Sequence, residues 1–140
     1  MRTDRYEHEL TQYVQRYFRN KGFRFQKTEL QFFEYNIDIY CHNRPTGATL
    51  AVELKVRDWK RAIQQAHIYQ LCADYVYIAM PEETIRRIDL EELEEEGIGL
   101  ICVYRDGRCK LCVPPKQSTV QDKRYKEKII VNNFKVKKND

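Results

Sequence analysis

Residues 49–56 read as a strand, residues 59–72 as a helix and residues 75–80 as another strand, and this order leaves few folds open. Two strands joined through a helix and lying in one sheet run parallel, with the helix crossing over one face. The later strand, Y-V-Y-I-A-M, is continuously apolar, as a strand covered on both faces must be. The expected class is therefore α/β, a mixed sheet flanked by helices.

The flanking segments extend this reading. Thr3 or Asp4 can cap a first helix reaching about Asn20. Tyr6, Leu10, Tyr13, Val14, Tyr17 and Phe18 form its apolar stripe, and Gly22 ends it. Residues 23–27 alternate as a short strand, which residues 30–33 either extend or bulge. Residues 35–41 form a second strand, and Asn43, Pro45 and Gly47 turn it into the third. Short helical stretches follow Pro81 and Asp89. Residues 100–104 and 109–113 form the last strands around an Arg105-Asp106-Gly107 turn. The domain is expected over residues 1–115. Residues 116–140 read as a basic C-terminal tail, in part unstructured, able to contact phosphates but more simply a solvated terminus.

In T-L-A-V-E-L-K-V, Leu50, Val52, Leu54 and Val56 share one face, while Ala51, Glu53 and Lys55 share the other. A carboxylate and an ammonium thus lie side by side on a strand near the sheet centre. Burial of each without partners costs several kcal/mol. Residues 35–40, Y-N-I-D-I-Y, repeat the anomaly. Strict alternation puts Tyr35, Ile37 and Ile39 on one face and Asn36, Asp38 and Tyr40 on the other. A hairpin would bring Asp38 beside Glu53 and Lys55. Two converging carboxylates repel unless a cation sits between them, and hard oxygen ligands suit magnesium or manganese. An isolated Glu-x-Lys triplet is weak; the plain alternative is a solvent-facing ion pair and an ordinary surface aspartate. The strand setting, the apolar opposite face and the upstream aspartate favour chemistry.

The arrangement I-D-(x14)-E-L-K, followed by a helix, resembles the PD-(D/E)xK nuclease superfamily, which includes restriction endonucleases, archaeal Holliday-junction resolvases and RecB-type nucleases. The resemblance covers roughly residues 5–80. It implies a restriction-endonuclease-like core and metal-dependent phosphodiester hydrolysis, most simply of DNA, in repair, recombination or restriction. It assigns metal binding to Asp38, Glu53 and the main-chain carbonyl of Leu54, and a catalytic role to Lys55. The usual proline before the aspartate is Ile37 here, which removes no ligand. Gln65 and Tyr69 match the Q-x-x-x-Y of RecB-like members, which implies a Gln65 aimed at the active site or the DNA backbone, with Gln64 as the fallback. A first-helix glutamate of the family would be Glu7, or its neighbour Glu9. The resemblance also implies Mg2+ or Mn2+ as cofactor and a homodimer. A nucleic-acid-binding module without activity on the same scaffold, or an RNA-directed nuclease, are the alternatives.

Arg57, Lys60, Arg61 and Tyr69 follow the catalytic strand and are candidate nucleic-acid contacts. The net charge of +4 permits such a partner without requiring it. No apolar run reaches the ~18 residues of a membrane span, and the charged N-terminus lacks a signal-peptide core, so a cytoplasmic location is expected. An odd count of five cysteines argues against a disulfide framework. Cys109 and Cys112 have C-x2-C spacing, but buried structural thiols are the simpler reading of Cys102, Cys109 and Cys112 than a metal or cluster site.

Overall fold

Leu10, Val14 and Phe18, at helical spacing, are buried, and Arg2–Arg19 forms α1 accordingly. The computed structural model describes the backbone of residues 2–134 and the side chains of residues 8–134. Strands β1 (Phe25–Phe32), β2 (Tyr35–His42) and β3 (Thr49–Leu54) follow, then α2 (Trp59–Tyr69) and β4 (Tyr75–Pro81). Two short helices, α3 (Glu82–Ile85) and α4 (Leu90–Glu96), precede β5 (Gly99–Val103), β6 (Cys109–Val113) and α5 (Lys123–Phe134). The six strands form one mixed sheet in sequential order. The β3–β4 and β4–β5 pairs are parallel and the others antiparallel. The protein is thus an α/β fold with its sheet flanked by helices.

The sheet separates two cores. On one side α1 packs Leu10, Val14 and Phe18 against Ile39, Leu50, Val52, Leu54 and Ile101. On the other, Ala62, Ala66 and Tyr69 of α2, Leu93 of α4 and Ile129 of α5 cover Tyr40, Ala51, Ile78 and Leu100. The β3 alternation expected from its sequence is seen: even-numbered residues face α1, and Ala51 faces α2.

Strict alternation fails in β2. Ile37 and Ile39, expected on one face, lie in opposite cores. The break sits at Asp38, and it is matched in β1. The residue that should oppose Asp38 is Glu29, which has φ +53° and drops out of an otherwise unshifted register. Consequently Phe25 and Leu30, an odd number of residues apart, face the same core. Both strands lose one step of phase together, as at a bulge that re-aims a side chain while leaving pairing on either side intact.

Residues 123–134, within the segment expected as a basic tail, form α5, which docks on the core through Ile129 and Phe134. Phe134 stacks on Tyr40 and His42. Lys135, Lys137 and Lys138 of that tail lie outside the described residues. Asp74, at the start of β4, anchors the docking. Its carboxylate accepts from the Thr49 N–H at 2.8 Å, from Gln121 at 3.0 Å and from Lys126 Nζ at 2.7 Å. Burial would raise this carboxyl, but the Lys126, Thr49 and Gln121 hydrogen bonds hold it below its ordinary value. All five cysteines are free thiols; of the three expected to be buried near the C-terminal end of the sheet, Cys102 is buried, Cys109 is half-buried and Cys112, on the outer strand β6, is exposed. Among the described residues no helix is long and apolar enough to cross a membrane.

Candidate active site

The β2–β3 ladder ends at the Ile39–Val52 pair, and beyond it the two strands diverge. The Lys55 N–H turns to β4, donating to the Ala79 carbonyl at 3.0 Å. Successive backbone groups of a strand point alternately to either neighbour, so the Leu54 N–H faces β2. No backbone acceptor waits there. The Asp38 carboxylate takes its place, accepting from Leu54 N at 2.8 Å. The phase break at position 38 therefore inserts a carboxylate into the gap between two strands, next to the edge where the Leu54 carbonyl also emerges.

Glu53 faces the α2 side and is only 3% exposed. Tyr69 Oη donates to its Oε1 at 3.0 Å, and Lys55 Nζ lies 3.5 Å from its Oε2. These partners do not offset the environment. Burial, followed by the negative charge of Asp38, pushes the Glu53 carboxyl up from 4.5 to about 7, against the pull of Lys55 and Tyr69. A buried glutamate forced towards protonation by a second carboxylate has the charge pattern that a cation between them would relieve.

The donor set fits a hard divalent ion: two carboxylates and one backbone carbonyl, all oxygen. An unmet acceptor lies on α2. Gln65, one turn before Tyr69 on the same face, has a buried Oε1 with no hydrogen-bond partner among the described residues. Buried polar atoms are rarely left so. Gln64, the fallback, is exposed. Among the described residues no group of three His, Cys, Asp or Glu side chains is arranged to hold a metal, so the carbonyl or Gln65 would have to complete any site.

Asp38, Glu53, Leu54 and Lys55 are thus brought together, with Gln65 on the facing helix. Glu7 lies in α1 outside the described side chains. Tyr69, expected to contact nucleic acid, does not reach the surface. It is fully buried, and its hydroxyl is committed to Glu53 and to the Asn36 carbonyl at 3.2 Å. The helical spacing put it on the correct face, but β2 and β3 lie over that face and cover it. Burial and the Glu53 charge also raise its phenol well above the ordinary value. It positions Glu53 instead. Arg57, Lys60 and Arg61 are exposed. Arg57 and Lys60 line a cleft of about 780 Å3 beyond the ends of β3 and β4, shared with Arg87 and Arg105; Arg61 is not among its lining residues.

Three residues escaped the sequence reading. Thr11, Gln12 and Gln15 of α1, with His8, line a cavity of about 460 Å3 together with Asp38, Glu29 and Leu54. Their spacing marks one helix face, a polar stripe beside the apolar one, and that periodicity was the available signal.

No protein-family model and no curated protein matches the chain. Among solved structures, a protein of unknown function from Silicibacter pomeroyi superposes with a TM-score of 0.66 over 90% of this chain and 81% of that chain, at 20% identity. At that identity the likeness shows a shared fold alone. Calcium-bound SfsA from Pyrococcus furiosus overlaps with a TM-score of 0.37 at 15% identity, over 64% of this chain and 53% of that one, too loosely to define a common fold.

Proposed function

We propose that the protein is a metal-dependent nuclease of the PD-(D/E)xK type, hydrolysing phosphodiester bonds in nucleic acid, with DNA as the leading substrate. The observation that carries this reading is the diverging β2–β3 edge, where Asp38 caps Leu54 N–H beside a buried Glu53 whose carboxyl is pushed up to about 7 and is paired to Lys55. A purely structural strand end has no need of this concentration of charge, which costs several kcal/mol for each unpaired buried ion.

Asp38, Glu53 and the Leu54 carbonyl would hold Mg2+ or Mn2+. Such an ion supplies Lewis-acid polarisation of the phosphate and acidifies a water. Tyr69 fixes the Glu53 carboxylate by its hydrogen bond. Lys55, partly exposed and anchored to Glu53, orients the attacking water and stabilises charge developing on the phosphoryl oxygens. Gln65 can turn its amide to the water or to a phosphate oxygen. Arg57 and Lys60, in the cleft beyond the strand ends, would bind the backbone to one side of the cut.

The test is direct. Purified protein is incubated with supercoiled plasmid, single-stranded DNA, branched DNA and RNA, each with Mg2+, Mn2+ or chelator. Cleavage of at least one substrate that requires the divalent ion is expected, and chelator should abolish it. Binding to these substrates without cleavage under every condition would contradict the proposal and identify a binding module.

A further inference from the structure

The β1–β2 turn carries a strained, mostly exposed aromatic residue. Phe33 has φ +55° and is 60% exposed. The left-handed region is costly for a bulky side chain and is normally filled by Gly or Asn. With the phenyl ring mostly exposed, only its edge contacts with neighbouring rings offset that cost. Strain retained at the surface is a reason to look for a ligand.

The surroundings of Phe33 are specific. Its ring sits edge-on to Tyr125 of α5 at 5.4 Å and to Phe32 at 4.8 Å, so its orientation is fixed. The three rings border a groove of about 500 Å3 that is also lined by Arg124, Lys128 and Asn132. Among the described residues no acidic one lines it, although Asp122 pairs with Arg124 at 2.8 Å and tempers that charge. Phe32 belongs to the same core as Glu53's partner Tyr69, so the groove opens on the α2 side of the sheet.

We infer that the Phe33–Tyr125 groove is a stacking platform for unpaired bases, which makes single-stranded or locally unpaired nucleic acid the preferred ligand. Aromatic rings with flanking cations bind single strands by base stacking and phosphate attraction, without base-specific readout. A paired base shows no free face to Phe33. The inference deepens the nuclease reading by naming its substrate class, but the groove can be tested without cleavage.

The experiment measures fluorescence anisotropy of a labelled oligothymidylate and of a labelled duplex in chelator, with wild-type protein and Phe33→Asn. Asparagine relieves the left-handed backbone but loses two ring contacts, terms of similar size, so the melting temperature should shift by no more than a few degrees. Single-strand affinity should fall roughly five- to 150-fold, the loss of one base–aromatic stack, with a far smaller effect on the duplex. Lys128→Gln should weaken single-strand binding and flatten its salt dependence. Equal single-strand affinity of wild type and Phe33→Asn would overturn the inference, as would equal losses on both ligands. A concentration-dependent dimer abolished by Phe33→Asn, without single-strand binding, would overturn it in favour of a second copy of the chain. Phe33-dependent binding without metal-dependent cleavage would uphold the platform and sink the nuclease reading, whereas cleavage with Phe33-independent binding would do the reverse.

Discussion

Glu53→Gln is expected to stabilise the protein at pH 8 and to abolish its cleavage. The sign follows from the raised carboxyl. Below 4.5 the glutamate is protonated in both the folded and unfolded chain, and the fold carries no penalty. Between 4.5 and about 7 the folded state keeps a proton that the unfolded chain has released, so stability falls as pH rises through this window. At ~1.4 kcal/mol per pH unit the penalty is somewhat over ~3 kcal/mol above pH 7. Glutamine escapes it and keeps an acceptor for Tyr69, but loses the attraction to Lys55. A net gain of about 2 kcal/mol remains, raising the melting temperature by several degrees at pH 8 and by nothing measurable at pH 4. Magnesium near a hundred times its dissociation constant should stabilise the wild type by ~2.7 kcal/mol at pH 8, and Glu53→Gln much less. Cleavage should fall by at least a hundred-fold, the scale of losing a positioned electrostatic group. Thermal melts at the two pH values, with and without Mg2+, check each part. A Glu53→Gln protein less stable than wild type at pH 8 would show the charge to be structural.

The second large effect is on stability alone. Asp74→Ala should cost about 3 kcal/mol, or roughly 10 °C in melting temperature for a chain of this size. The change strands the Thr49 N–H and the Lys126 ammonium, which is 21% exposed. The depressed Asp74 carboxyl makes the complementary pH prediction. Its contribution is present above the ordinary value of 3.8 and is lost as pH falls through the lower folded value. Wild type should therefore lose stability on acidification below about pH 4, and Asp74→Ala should lose less. Urea titrations at pH 7 and pH 3 measure both. A cost below ~0.5 kcal/mol, the ordinary range of surface substitutions, would show that α5 docks without this network.

These effects involve residues whose legibility in the sequence differed for physical reasons. The β3 face carrying Glu53 and Lys55 was readable because period-2 alternation needs no knowledge of neighbours. The crossover and the parallel β3–β4 pair followed from the helix between them. The β2 face was misassigned because the step at Asp38 depends on Glu29 adopting a left-handed conformation, for which a glutamate gives no signal. The α5 helix was hidden by its lysines. Tyr125, Ile129, Ile130 and Phe134 supply its apolar contacts, but Lys126 is held by an aspartate some fifty positions away, and no local pattern encodes that. Depth was likewise invisible for Tyr69: helical spacing gives a face, whereas burial depends on what the sheet places above it.

The proposed function rests on Lys55 acting on a phosphodiester held beside Asp38 and Glu53. The most direct measurement is the cleavage rate of Lys55→Ala on whichever substrate the wild type cuts, at saturating Mg2+, alongside its melting temperature and its substrate affinity in chelator. The expected rate is at least a hundred-fold lower, with the melting temperature lowered by no more than a few degrees, the scale of one partly exposed ion pair, and affinity little changed. A Lys55→Ala protein that cleaves at the wild-type rate would contradict it.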